Sequence, residues 1–106
     1  MLRWKTHKFS SISAGEEQLY TLLSGVTDKR RRIRYVTPDQ NDAVYLRVYR
    51  DTDMVVELES DLLTSSAPHL PVDIPVEPGQ KIDVGFYNGS GSTVTNVSVA
   101  IGYDEE

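Results

Sequence analysis

The 106-residue sequence contains no cysteine, so it has neither a disulfide framework nor a thiolate metal site. It also lacks any apolar run close to the ~18 residues that a membrane span requires. Its first residues, MLRWKTHKFSSISAG, lack the apolar core and cleavage pattern of a signal peptide. These absences predict one soluble domain spanning residues 1–106, without a membrane partner.

Catalytic motifs are missing as well. His7 and His69 are the only histidines, and no nucleophile elbow or comparable motif accompanies them. The glycine-containing stretch 88–92 precedes a predicted strand, so it lacks the helix N-terminus on which phosphate loops depend. Segments 39–42 and 51–53 hold several oxygen ligands, but not with the spacing of a calcium loop. We therefore predict a protein that is not an enzyme and has no metal site and no cofactor.

Alternating apolar and polar residues dominate what is present. The stretches VYLRVYR (44–50) and KIDVGFY (81–87) place every second apolar side chain on one face, which is typical of half-buried antiparallel strands. Turn-forming residues separate such stretches every ~8–12 residues, a spacing that predicts an all-β sandwich of about eight strands, jelly-roll-like. The predicted strands are 2–9, 17–24, 30–37, 43–50, 54–59, 69–76, 81–88 and 93–103.

The apolar positions of these strands define the predicted core. Pro71 and Pro75 cannot donate backbone hydrogen bonds, so strand 69–76 is expected at an edge or in a crossover. Segment 1–9 is expected to be mobile, and residues 104–106 to form an acidic tail. The predicted core residues are Val44, Leu46, Val48, Val56, Leu58, Val72, Ile74, Ile82, Val84, Phe86, Val97, Val99 and Ile101.

Charge is distributed unevenly along the chain. Residues 1–50 contain 10 Lys and Arg against 5 Asp and Glu, whereas residues 51–106 contain 1 against 11. Such a split often indicates a binding partner. The candidates are the other half of the same chain or another copy of it.

A run of basic residues, 29–34, contributes most of the positive charge. Alternation places Arg30, Arg32 and Arg34 on the solvent face of a strand, with Ile33 and Tyr35 facing the core. Three interpretations remain open: a solvated strand face, an interface for an acidic protein, and a nucleic-acid surface, which the sequence pI of about 4.9 opposes. The expected ionic partners are Asp51, Asp53, Glu57 and Glu59.

Aromatic residues suggest two further contact points. Tyr45, Arg47 and Tyr49 alternate outward on one predicted strand, which suits an ordinary surface, a protein interface or a glycan-stacking platform. Trp4 suits either an anchor on a neighbouring molecule or a plug in the domain's own core.

In the style of its strands and turns, the chain resembles small β-sandwich structural proteins of tailed viruses, of the minor capsid or decoration type. The resemblance runs from ISAGEEQLYTLL through AVYLRVYRD to LPVDIPVEPGQKIDVGFYNGSGSTVTNVSVAIGY. It implies a virion location and a non-catalytic part that docks on itself or on the major capsid protein. The predicted interface comprises Trp4, Arg30, Arg32, Arg34, Tyr45, Arg47 and Tyr49. A carbohydrate-binding module is the alternative.

Overall fold

The computed structural model describes residues 2–64 and 66–106, and within them the chain forms eight strands. A short 3-10 helix, Ser60–Leu62, follows the fifth strand. The described residues contain no helix that is long and apolar enough to cross a membrane. The strands are β1 Leu2–Ile12, β2 Glu17–Ser24, β3 Arg31–Pro38, β4 Val44–Arg50, β5 Asp53–Glu59, β6 Leu70–Val76, β7 Lys81–Asn88 and β8 Val94–Glu105.

Two four-stranded antiparallel sheets make up the sandwich. The first sheet has the order β1-β8-β3-β6, and the second has the order β2-β7-β4-β5. This arrangement is the jelly-roll topology, so the predicted fold is confirmed. Strand β6 lies at an edge of the first sheet, as its two prolines require, because a central strand would need the hydrogen bonds that proline cannot donate.

The core lies between the two sheets. Ten of the thirteen predicted core residues are buried, whereas Val56, Leu58 and Val72 are only partly buried. These three lie on β5 and β6, which are edge strands and are covered less completely by the opposite sheet. Further buried residues that the pattern did not single out as core are Phe9, Ile12, Leu22, Leu23, Val36, Val76 and Tyr103.

A β-bulge in β3 changes the direction of its side chains. Ile33 pairs with Tyr103 and Tyr35 pairs with Gly102. Between these two pairs β3 therefore advances by two residues while β8 advances by one. The extra residue, Arg34, shifts the alternation by one position. Ile33 is buried as predicted, but Tyr35 is exposed, so its predicted position in the core is wrong.

The first and last strands lie side by side. Leu2 pairs with Asp104, and Arg30 exchanges two backbone hydrogen bonds with Glu106 at 3.0 and 3.1 Å. Residues 2–9 of the segment predicted to be mobile belong to β1, while Met1 lies outside the described residues. Asp104 and Glu105, from the predicted tail, belong to β8.

Candidate interaction surfaces

The residues of the predicted interface lie on two opposite faces of the sandwich. Those on β1 and β3 project from the outer face of the first sheet, and those on β4 project from the outer face of the second. Arg30 directly precedes β3. The first group is Trp4, Arg32 and Arg34, and the second is Tyr45, Arg47 and Tyr49.

An aromatic patch, formed by Trp4, Tyr35 and His69, occupies the outer face of the first sheet. Trp4 and Tyr35 pair with the same residue of β8, Gly102, from either side. Their rings are nearly parallel, and the ring centroids are 6.2 Å apart. The centroid of the His69 ring lies 5.7 Å from that of the Trp4 ring. Trp4 is 47% exposed, so the alternative that it fills the core is wrong.

Three local features hold the aromatic patch in place. Gly102 lets the Trp4 ring lie against the backbone of β8, because a Cβ atom there would come within 2.9 Å of it. The bulge at Arg34 turns Tyr35 to the same face. A contact of 2.6 Å between the Thr37 hydroxyl and Nδ1 of His69 orients the imidazole. The rings are therefore preorganised although they are exposed.

The basic cleft lies at one end of the first sheet. Its volume is about 830 Å³, and its walls come from the turn before β3, the start of β3, and the turn between β6 and β7. Its cationic side chains are those of Lys29, Arg30, Arg31, Arg32 and Arg34.

Carboxylates of the same sheet pair with part of this basic run. Arg32 donates a hydrogen bond to Asp73, and Arg34 lies 3.5 Å from an oxygen of Asp104. The hydrogen bond from Arg32 holds the pKa of Asp73 below its usual value. The partners expected from the sequence are wrong. They belong to the hairpin between β4 and β5 in the second sheet, and the strand order that separates them from β3 is not visible in the alternation.

Glu105 is the ionic centre next to the cleft. Its side chain is 7% exposed and lies 3.0 Å from Lys29, 2.9 Å from Arg31 and 3.6 Å from Arg3. The hydrogen bond from Lys29 is the largest influence that lowers the pKa of Glu105, and Arg31 adds to it. In contrast, among the described residues no hydrogen bond or ion pair engages the guanidinium of Arg30.

A polar network covers the outer face of the second sheet. Arg47 donates to Glu17 at 2.7 Å and to Glu57 at 2.9 Å, and its guanidinium carbon lies 4.6 Å from the centre of the Tyr87 ring. Tyr49 donates to Glu17 at 3.0 Å, and its pKa is raised, mainly because the phenol is partly buried. These side chains are thus held together across all four strands of the second sheet, β2, β7, β4 and β5.

The network does not form a flat platform. The Tyr45 and Tyr87 rings are 6.3 Å apart and inclined to each other by 38°. Gly85 pairs with Arg47 in the ladder, and its lack of a side chain lets the backbone of Gln18 on β2 approach closely.

The two sheets carry charges of opposite sign. The strands of the first sheet hold six Lys and Arg against three Asp and Glu, a net charge of +3. The strands of the second sheet hold three against five, a net charge of −2. This split between the sheets differs from the split along the sequence, because each sheet takes two strands from each half of the chain.

Sequence patterns missed two members of the aromatic patch. Alternation predicts Tyr35 in the core, and it gives His69 no role. One signal was available: a glycine inside a strand, here Gly102, often marks a close approach of another group to the backbone.

No metal site is formed within residues 2–64 and 66–106, because these residues bring no three His, Asp or Glu side chains into a suitable group. No protein-family model matches the chain, and no curated protein matches it. Among solved structures, the nucleoplasmin-like N-terminal domain of Drosophila FKBP39 matches with 18% identity and a TM-score of 0.45, covering 100% of this chain and 91% of that one.

The resemblance to virion proteins is corrected at this point, because the comparison found a nucleoplasmin-like domain and not a capsid or decoration protein. The predicted virion role and virion location are wrong, and the predicted capsid partner has no support. The β-sandwich itself is unaffected, since it rests on the strand order.

Proposed function

We propose that this chain is a non-catalytic interaction domain that associates with further copies of itself. In the proposed contact, the outer face of the first sheet of one copy meets the outer face of the second sheet of the next. The observation that carries the proposal is the opposite net charge of the two sheets, +3 and −2. Complementary charge steers two molecules together and fixes their relative orientation.

The aromatic patch supplies the apolar centre of the proposed contact. Trp, Tyr and Arg are the residues most enriched among the few that dominate binding energy at interfaces. Trp4 and Tyr35 are exposed, and Arg34 and Asp104 flank them with charge. An apolar centre with a charged rim is the usual anatomy of a protein interface.

The second sheet offers a matching surface. Leu19 and Met54 are exposed apolar residues on its outer strands, and they flank the rigid network around Arg47. Exposed ion pairs contribute only about 0–1 kcal/mol each, so we assign most of the affinity to Trp4 and the apolar residues it covers.

A contact between unlike faces repeats from copy to copy. It closes into a ring when the rotation between neighbours allows it and otherwise grows as a filament. It also accounts for the division of the predicted interface between two faces, because each copy would use one face toward each neighbour.

Complementation between two variants tests this arrangement. Trp4→Ala removes the anchor of the first sheet, and Leu19→Lys places a cation on the acidic second sheet. Leu62→Ala is the matched control, because Leu62 is exposed but lies in the 3-10 helix outside both sheets. Sedimentation velocity should show oligomers for the unmodified protein and the control, and monomers for each of the other two variants.

Mixing the two monomeric variants identifies the type of contact. Each variant retains the face that the other has lost, so the mixture should form dimers and no larger species. A mixture that remains monomeric contradicts the contact between unlike faces. An unmodified protein that sediments as a monomer at several hundred micromolar contradicts self-association altogether.

A further inference from the structure

We propose that the basic cleft binds a small, multiply charged phosphate compound such as a short oligophosphate. This inference rests on the cleft at the end of the first sheet and is independent of self-association. The volume of about 830 Å³ lies within the ~300–1,000 Å³ that small-molecule sites occupy.

The cationic side chains around the cleft outnumber the carboxylates that form ion pairs with them. Lys29, Arg31 and Arg3 share the single carboxylate of Glu105. Arg32 and Arg34 each have one carboxylate partner, and Arg30 has none among the described residues. Five cationic groups thus share three carboxylates in ion pairs, and Arg30 adds a sixth cation outside these pairs, so direct pairing leaves a local excess of cations that favours an anion.

The geometry of β3 directs three guanidinium groups to one face. Arg30 and Arg32 alternate along the chain, so their Cα atoms are about 6.6 Å apart in extended backbone. Arg34 follows Arg32 at the next regular alternation and faces the same way, and the bulge turns Tyr35 to that face as well. The planar fork of arginine matches two oxygens of one phosphate, and successive arginines match successive phosphates.

Further carboxylates limit the size of the ligand. Asp28, Glu77 and Glu106 also line the cleft, although the described structure contains no ion pair between them and its cations. They bring the carboxylates in and beside the cleft to the same number as the cations, so the attraction for an anion is local to the arginines and does not extend beyond the cleft. We therefore favour a compact oligophosphate over a nucleic acid.

Isothermal titration with tripolyphosphate tests the site. Arg30→Gln removes a cation of the cleft that makes no ion pair with any described residue, and Lys8→Gln removes an exposed cation of β1 outside the cleft. We expect Arg30→Gln to weaken binding roughly tenfold, as the loss of a charge-assisted hydrogen bond would, and Lys8→Gln to weaken it less than twofold. Arg34→Gln provides a second variant with the same expected loss.

The titration should also be made on Trp4→Ala, which keeps the cleft but removes the proposed contact between copies. Tripolyphosphate should bind this variant as tightly as it binds the unmodified protein. Equal weakening by Arg30→Gln and Lys8→Gln would show a diffuse charge effect and overturn the proposal. No binding at millimolar tripolyphosphate in low salt would overturn it as well.

Discussion

The ring of Trp4 lies flat against the backbone of Gly102, so that even a single methyl group at position 102 would come within 2.9 Å of it. The two residues are paired across β1 and β8, and Tyr35 approaches the same glycine from β3. Strand β8 therefore provides the space at Gly102, and the neighbouring strands β1 and β3 provide the two rings.

We expect Gly102→Ala to displace the Trp4 ring. Overpacking of this kind lowers the free energy of unfolding by about 1–3 kcal/mol. We expect the low end of this range, because the partly exposed indole can move aside. Trp4 is the only tryptophan, so its emission should shift to longer wavelength in the variant. Urea unfolding followed by that emission measures the free energy, and an unchanged spectrum would contradict the packing described.

Gly85→Ala should be more damaging. A Cβ atom at position 85 would lie 1.8 Å from the backbone oxygen of Gln18 on β2, and backbone cannot swing away as a side chain can. We expect a loss of more than about 2 kcal/mol in the free energy of unfolding. Gly91→Ala is the control, because nothing lies within 4 Å of the added methyl, and its stability should match that of the unmodified protein.

Asn88→Ala should destabilise the loop between β7 and β8. The buried amide donates to the carbonyls of Ile12 and Ser92 at 3.0 and 2.7 Å and accepts from Ser90. Buried groups left without a partner cost about 1–3 kcal/mol each, so we expect a loss of at least about 2 kcal/mol. Thermal unfolding measures it, with the exposed Gln40→Ala as control; equal melting temperatures would contradict the role of Asn88.

Acid should weaken the fold through Glu105. Its pKa is lowered from the usual 4.5 by Lys29 and Arg31, so its stabilising effect is complete above that value and is lost as pH falls through the lower, folded-state pKa. Glu105→Gln should lower the melting temperature at neutral pH and flatten its decline below about pH 4.5. The melting temperatures of the variant and the unmodified protein should converge in acid. A constant difference between them across this pH range would contradict the stabilising role of the Glu105 carboxylate.

Strand positions could be predicted because half-buried antiparallel strands repeat every two residues. Every predicted strand overlaps an observed one, and β2 and β7 coincide with their predictions. The proline-containing strand β6 was expected at an edge or in a crossover and lies at an edge. The local sequence pattern was sufficient to predict these features.

The candidate surfaces were harder to predict, because they depend on which strands become neighbours. A bulge moves Tyr35 from the core to the surface, and nothing in the sequence RRRIRYV marks the extra residue. The ionic partners of Arg32 and Arg34 come from β6 and β8, far along the chain. Alternation assigns side chains to faces but does not order strands within a sheet.

The pairing of Leu2 with Asp104 brings the first and last strands together and has a practical consequence. A short glycine-serine linker could connect them, and the chain could be reopened at the exposed Gly79 turn to give a circular permutant with the same sheets. A tag on either end of the unpermuted chain would project from the corner that holds the basic cleft. In the permutant the tag would sit at the turn before β7, which also forms a wall of the cleft.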